Sequence, residues 1–142
     1  GAGTLRMTAI TNALTGGIDI NEGRLVLDGG ASSDIAVATG ATLAGDGTVD
    51  ADLTFADDAV FEVEILDETT AAVLDVAGTV TASGEVTVPV AQDQADGEWL
   101  VMTADSFDAE FVSTNPRFAL YTRNGGTELW LTKKLGTLIV VR

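Results

Sequence analysis

Residues 15–55 read TGGIDINEGRLVLDGGASSDIAVATGATLAGDGTVDADLTF, and this stretch decides how the rest of the chain is understood. It repeats one phrase: a turn containing Gly or Asn, a small residue, a run in which apolar and polar residues alternate, then Gly again. Alternation with a period of two marks a half-buried strand, and the Gly, Asn, Asp and Ser between the runs supply turns. The same texture continues outside the stretch, and helical periodicity is nearly absent. Strands are predicted over residues 4–10, 23–27, 33–38, 51–55, 59–66, 72–76, 78–82 and 84–90. The chain is therefore expected to be all-β.

Aligning the first large apolar residue after each turn selects Leu5, Leu25, Leu43, Phe61, Val80 and Leu100, at intervals of 20, 18, 18, 19 and 20 residues. A self-similar period of this size points to a solenoid, whose repeats bury their apolar faces only by stacking on one another. A right-handed parallel β-helix suits it, with one repeat per coil and coils about 4.8 Å apart. Leu25, Leu27, Ile35, Val37, Leu43, Leu53 and Phe55 would point inward, and Asp34, Asp52, Glu62 and Glu64 would face water. An antiparallel sandwich or jelly roll also has short strands at close spacing, but it does not call for repeated wording.

The texture changes after Ala91. Residues 91–142 carry both Trp, the single Tyr and three of the five Phe. In ALYTRNGGTELWL, residues 119–131, NGG lies between two alternating runs, the mark of a tight hairpin turn that needs positive φ. Phe118, Leu120, Leu129 and Leu131 would form its buried face. We expect repeats over residues 1–90 and an antiparallel aromatic cap over 91–142, continuous with them as one domain. The cap would cover apolar side chains and strand edges that an open solenoid end exposes.

Composition narrows the chemistry. With 142 residues the chain can bury a core of its own, so it needs no disulfide or metal to hold it together. It contains no Cys and no His, which removes thiolate nucleophiles, the commonest general base and the usual zinc ligands. The formal charge is -15, and residues 25–116 hold 19 Asp and Glu with no Lys or Arg. Nucleic acid and anionic lipid are poor partners for such a surface, and self-repulsion should be relieved by salt or bound cations. No apolar run is long enough for a membrane-spanning helix, and GAGTLRMTAI is not a secretory signal. The start inside a repeat, without an initiator Met, leads us to expect a segment of something longer.

The quoted stretch resembles the passenger-associated repeat of bacterial autotransporters and the related autotransporter-associated β-strand repeat proteins. In that family a TGGT-like, N-x-G-x-L-x-L coil precedes a V-x-x-GATL-x-G-x-GTV-x-x-x-V coil. Thr15, Gly16, Gly17, Asn21, Gly23, Leu25 and Leu27 fill the first pattern; Val37, Gly40, Ala41, Thr42, Leu43, Gly45, Gly47, Thr48 and Val49 fill the second. GEWLVMTAD, residues 97–105, looks like the segment that closes such passengers. The resemblance implies an exported parallel β-helix displayed at, or shed from, a bacterial outer-membrane surface. No membrane barrel follows Arg142 in this sequence, and the enzymatic or adhesive domains that some members carry are not in it, so architecture is implied more strongly than activity.

Candidate sites are few. Asp46, Asp50 and Asp52, with Asp57 and Asp58, offer oxygen ligands for calcium, but their spacing matches no calcium loop. The simpler reading makes Gly45 and Gly47 turn residues and leaves the acids solvated. Glu62 and Glu64, two apart on one strand, would lie roughly 6.5 to 7 Å from each other, within the range of glycosidase carboxylate pairs. The same spacing arises on any solvated strand, and no aromatic groove surrounds them in sequence. Ser32, Ser33, Ser83, Ser106 and Ser113 could be activated only by Lys133 or Lys134, which read better as charges that discourage strand addition. Trp99 should pack the cap; Trp130 should face the opposite side from Leu129 and Leu131 and is the better candidate for an exposed sugar-binding aromatic, although burial against a neighbouring coil is the simpler reading of it.

These features lead us to expect a non-enzymatic structural or adhesive stalk of an exported bacterial surface protein, with no catalytic, cofactor or metal residues and at most weak calcium binding. Its expected partners are adjacent repeats of a parent chain, with a host or matrix glycan or self-association as further options. It is not expected to bind nucleic acid or to insert in a membrane. The alternatives are a fragment of a polysaccharide-acting β-helix enzyme, and a self-assembling filament or lectin-like module.

Overall fold

A computed structural model describes residues 4–7 and 17–133, and every regular element in it is a strand. In chain order the first eight are β1 (Thr4–Met7), β2 (Ile18–Ile20), β3 (Arg24–Leu27), β4 (Gly30–Ala31), β5 (Ile35–Val37), β6 (Thr42–Ala44), β7 (Thr48–Val49) and β8 (Leu53–Phe55). They are followed by β9 (Val60–Phe61), β10 (Leu74–Val76), β11 (Thr79–Val88), β12 (Glu98–Thr103), β13 (Ser106–Ser113), β14 (Phe118–Arg123) and β15 (Glu128–Lys133). No helix long and apolar enough to cross a membrane occurs among the described residues.

The strands pair in three parallel ladders, which the chain visits in turn. The first places Ile18, Ile35, Leu53, Val80 and Phe107 side by side through β2, β5, β8, β11 and β13. The second aligns Leu5, Leu25, Leu43 and Phe61, then carries Val60 onto Thr87. The third runs from Gly30 to Thr48, Asp75 and Thr103. Because β11 is long and bends, it serves the first ladder with its start and the second with its end. Parallel pairing of this kind is not the register of an antiparallel sandwich.

The expected interval of 18 to 20 residues holds for Leu5, Leu25, Leu43 and Phe61 and then breaks. Val80 belongs to the first ladder, opposite Leu53, and Leu100 lies opposite Trp130 in an antiparallel pair. The cause is a lengthened path between the second and third ladders. Three residues (45–47) join β6 to β7, whereas twelve (62–73) join β9 to β10 and nine (89–97) join β11 to β12. The strand expected at 59–66 accordingly stops at Phe61, and the two expected at 78–82 and 84–90 are one strand bent near Gly84.

All seven residues expected inside, Leu25, Leu27, Ile35, Val37, Leu43, Leu53 and Phe55, are buried in one core. Removing such side chains from water contributes about 1.5–3 kcal/mol each. Aliphatic residues fill the core at the N-terminal end, and aromatic rings fill it further on. Phe55 packs edge-on against Phe61 and Phe111 with centroids 6.4 and 5.9 Å away, and Phe107 meets Phe111 at 6.3 Å. Edge-to-face contacts of this geometry add to plain burial.

At the C-terminal side β15 runs antiparallel to both β12 and β14. The NGG turn is present as expected: Asn124, Gly125 and Gly126 have φ of 58°, 72° and 87°. Phe118, Leu129 and Leu131 are buried, and Leu120 is half-buried against the same core. Lys134 lies outside the described residues.

Candidate functional site

Each passage from one ladder to the next makes a corner, and the corners collect the polar chemistry. Between the third and first ladders, Asp34 Oδ1 accepts the Asp52 backbone N–H at 3.0 Å, and Asp52 Oδ1 accepts that of Thr79 at 2.9 Å. Each carboxylate thus satisfies a donor in the next turn along, and charged acceptors make such bonds stronger than neutral ones. Thr79 Oγ1 and Ser106 Oγ, 3.1 Å apart, extend the column. A Cβ at Gly78 would collide with the Asp52 carboxylate and the Ala51 carbonyl, so only Gly leaves room for this bond. Asp52, expected to be simply solvated, is a structural acceptor; Asp46 and Asp50 are exposed.

The corner between the first and second ladders holds an open acidic groove of about 620 Å³ lined by Asp57, Asp58, Glu85, Asp108 and Glu110. Asp57 Oδ1 accepts the Glu85 N–H at 3.1 Å, and Thr39 Oγ1 donates to the Asp57 carbonyl at 2.7 Å. Asp58 donates its N–H to the Glu85 carbonyl at 2.9 Å and sits at φ 64°, a conformation Asp tolerates better than most residues. Glu85 and Glu110 are register partners on adjacent strands, so like charges are stacked here. Among the described residues no three acidic groups converge to hold a metal ion.

The third corner departs most from repetition, because both long connections, 62–73 and 89–97, leave from it. The first folds back on itself: Ile65 and Ala71 form an antiparallel bridge, and the Leu66 and Asp67 N–H groups donate to the Thr70 carbonyl at 2.9 and 3.1 Å. Asp67 Oδ1 accepts the N–H groups of Thr69 and Thr70 at 2.9 and 2.8 Å, the pattern of an Asx turn. Those bonds, led by Thr69, favour the ionised carboxyl and hold Asp67 below the usual aspartate value. The loop is pinned from beneath: the Trp99 indole donates to the Asp67 carbonyl at 2.9 Å, and Trp99 is 1% exposed beside Phe118. Leu66 stands at the loop tip, 58% exposed.

The second connection is tied to the hairpin. Asp96 receives Lys133 Nζ at 3.0 Å and Arg117 Nη2 at 2.5 Å, and these cations, Lys133 first, hold its carboxyl below the ordinary value. Asn115, almost fully buried, donates from Nδ2 to the Ala91 carbonyl at 2.8 Å and fastens the far side. The two loops and the hairpin therefore form one lateral ledge. No motif or compositional bias marks it; its sequence signal is the loss of the 18–20-residue period after Phe61, which Val80 and Leu100 imitate from other ladders.

The other sequence candidates separate. Glu62 is bound by Arg24, whose Nε donates at 2.9 Å to Oε1, while Glu64 lies beyond the strand end and is exposed. They do not form a free pair on one strand. Ser113 is bonded to Asn115 and Ser106 to Thr79, while Lys133 is engaged by Asp96. Ser33 is buried and Ser83 exposed, at different corners; Ser32 also lies on the turn after β4. Trp130 does face away from Leu129 and Leu131 and is half-buried between Tyr121 and Leu100. However, the Arg123 guanidinium lies 4.7 Å from its ring centroid, and its indole donates to Glu128 Oε1 at 3.0 Å. A cation already occupies the aromatic surface that a sugar would use. Tyr121, 46% exposed, is the open aromatic of this face.

No protein-family model matches the chain, and no curated protein matches it.

Proposed function

We infer that the chain is a stretch of right-handed parallel β-helix, a solenoid whose parallel ladders continue through β12 and β13 and are closed by the antiparallel hairpin of β14 and β15, serving as a non-enzymatic structural or adhesive stalk. In this reading it belongs to an exported, autotransporter-like bacterial surface protein, with adjacent repeats of the parent chain as its first partners. One observation carries the reading: the chain visits three parallel ladders in fixed rotation, the pairing that successive coils of a solenoid would make. Such an object gains length with every circuit while keeping its cross-section, which is the property a stalk requires. The resemblance of residues 15–55 to passenger repeats supports the export and surface location, and the stacked acids are consistent with a saline exterior.

The adhesive part of the role falls to the lateral ledge, where the chain adds residues that the circuit does not need for stacking. Loops held on a rigid scaffold are where binding residues concentrate. Antibodies to the ledge should label intact cells that produce the parent protein, and the purified chain should leave acidic and neutral polysaccharides unchanged with or without calcium. Turnover abolished by Glu62→Gln or Glu64→Gln would replace this reading with the enzymatic one.

A further inference from the structure

Four Asn occur in the chain, at positions 12, 21, 115 and 124, and their following residues differ in a way that matters chemically. Asn115 precedes Pro116, which has no backbone N–H, and it is buried with its side chain bonded to Ala91. Asn21 precedes Glu22, and any Cβ on the following residue hinders attack by its backbone nitrogen, a hindrance that Gly lacks. Asn124 precedes Gly125, followed by Gly126, at the exposed tip of the hairpin. A Cβ placed at Gly125 or Gly126 would meet nothing within 4 Å, so the turn is open on that side. The Gly126 and Thr127 N–H groups both donate to the Arg123 carbonyl at 3.2 Å, and Gly125 has no part in that pair of bonds. The Asn124 side chain has one long contact, Nδ2 to Glu128 Oε2 at 3.5 Å.

We propose that Asn124–Gly125 is a self-modification site, at which the Gly125 nitrogen attacks the Asn124 side-chain amide and converts residue 124 to an acid. The Gly125 N–H gives its proton to solvent base as the nitrogen bonds to Asn124 Cγ. The Cγ–Nδ2 bond breaks and Nδ2 takes a proton from water to leave as ammonia, with no change of oxidation state. Water then opens the five-membered imide at either carbonyl, giving aspartate or its backbone-extended isomer. Closure requires rotation about the Asn124 backbone, which the glycine pair and the empty space beside it permit. The product places a new carboxylate beside Glu128 and next to Arg123, and the isomer lengthens the turn that holds β14 to β15. The closing hairpin of a long-lived exported stalk would in this way carry its own ageing site; that role rests on the function inferred above, while the reaction does not.

The test is peptide mapping by mass spectrometry of the folded full chain held at mildly alkaline pH and physiological temperature, with a parallel sample unfolded in urea. Conversion should appear at residue 124 in the folded chain, as a mixture of the two acid isomers, should quicken as pH rises, and should be lost in Asn124→Gln and Asn124→Gly. Gly tolerates the positive φ at this position, so the second variant preserves the turn. An Asn124 that stays an amide in the folded chain, or converts only in urea, would overturn the proposal, as would conversion at Asn21 keeping pace with it.

Discussion

Phe55, Asp52 and Trp99 show three ways in which single side chains hold this fold. Phe55→Ala should cost about 3–5 kcal/mol, because the ring touches two others in the core and the space cannot collapse freely. Urea unfolding should show this as a lower midpoint with an unchanged slope. Asp52→Ala should cost about 1.5 kcal/mol, the low end for a hydrogen bond to a charged acceptor because the site is exposed, and Gly78→Ala should cost more, since it displaces the Asp52 carboxylate and presses on the Ala51 carbonyl. The buried apolar positions could be read directly from alternation. The role of Asp52 could not: a carboxylate that bonds the next turn and one that faces only water occupy the same place in an alternating pattern, although the 18-residue spacing of Asp34 and Asp52 hinted at it.

Asp67 and Asp96 link residues to elements, because each organises one long connection. Both carboxyls sit below their unperturbed value of 3.8, so the folded protein binds fewer protons than the unfolded chain as acid is added. Their contribution is fully present above that value and is lost as pH falls through the lower folded values. Thermal melts should therefore decline on the acid side of pH 3.8, and Asp67→Asn and Asp96→Asn should each flatten that decline without altering the neutral-pH baseline slope. Leu66→Ser, at an exposed tip, should leave stability within about 0.5 kcal/mol, whereas Trp99→Ala should cost about 3–5 kcal/mol and free the loop. Hairpin, turn chemistry and most strands were legible in the sequence because each is written within a few residues. The ledge was not, since it depends on which strands pair after an insertion, and a fixed period cannot supply that.

At the scale of the whole molecule, charge and register dominate. A formal charge of -15, with Glu85 and Glu110 stacked as register partners, makes self-repulsion a standing cost. Raising sodium chloride from low to physiological levels should raise the melting temperature, and an unchanged value would show that screening does not stabilise the fold. In the proposed solenoid, successive circuits lie on one another in register. Asp19, Ala36, Thr54, Thr81 and Asp108 form one row across five strands, although they are far apart in the chain. The chain has no native Cys, so spin labels can be placed on engineered pairs without interference. Pulsed electron paramagnetic resonance on labels at positions 19 and 108, 36 and 108, and 54 and 108 should give backbone separations of about 19, 14 and 10 Å. A stepwise fall of about 4.8 Å per strand is the expected result, and separations that do not shorten in that order would contradict the stacked register.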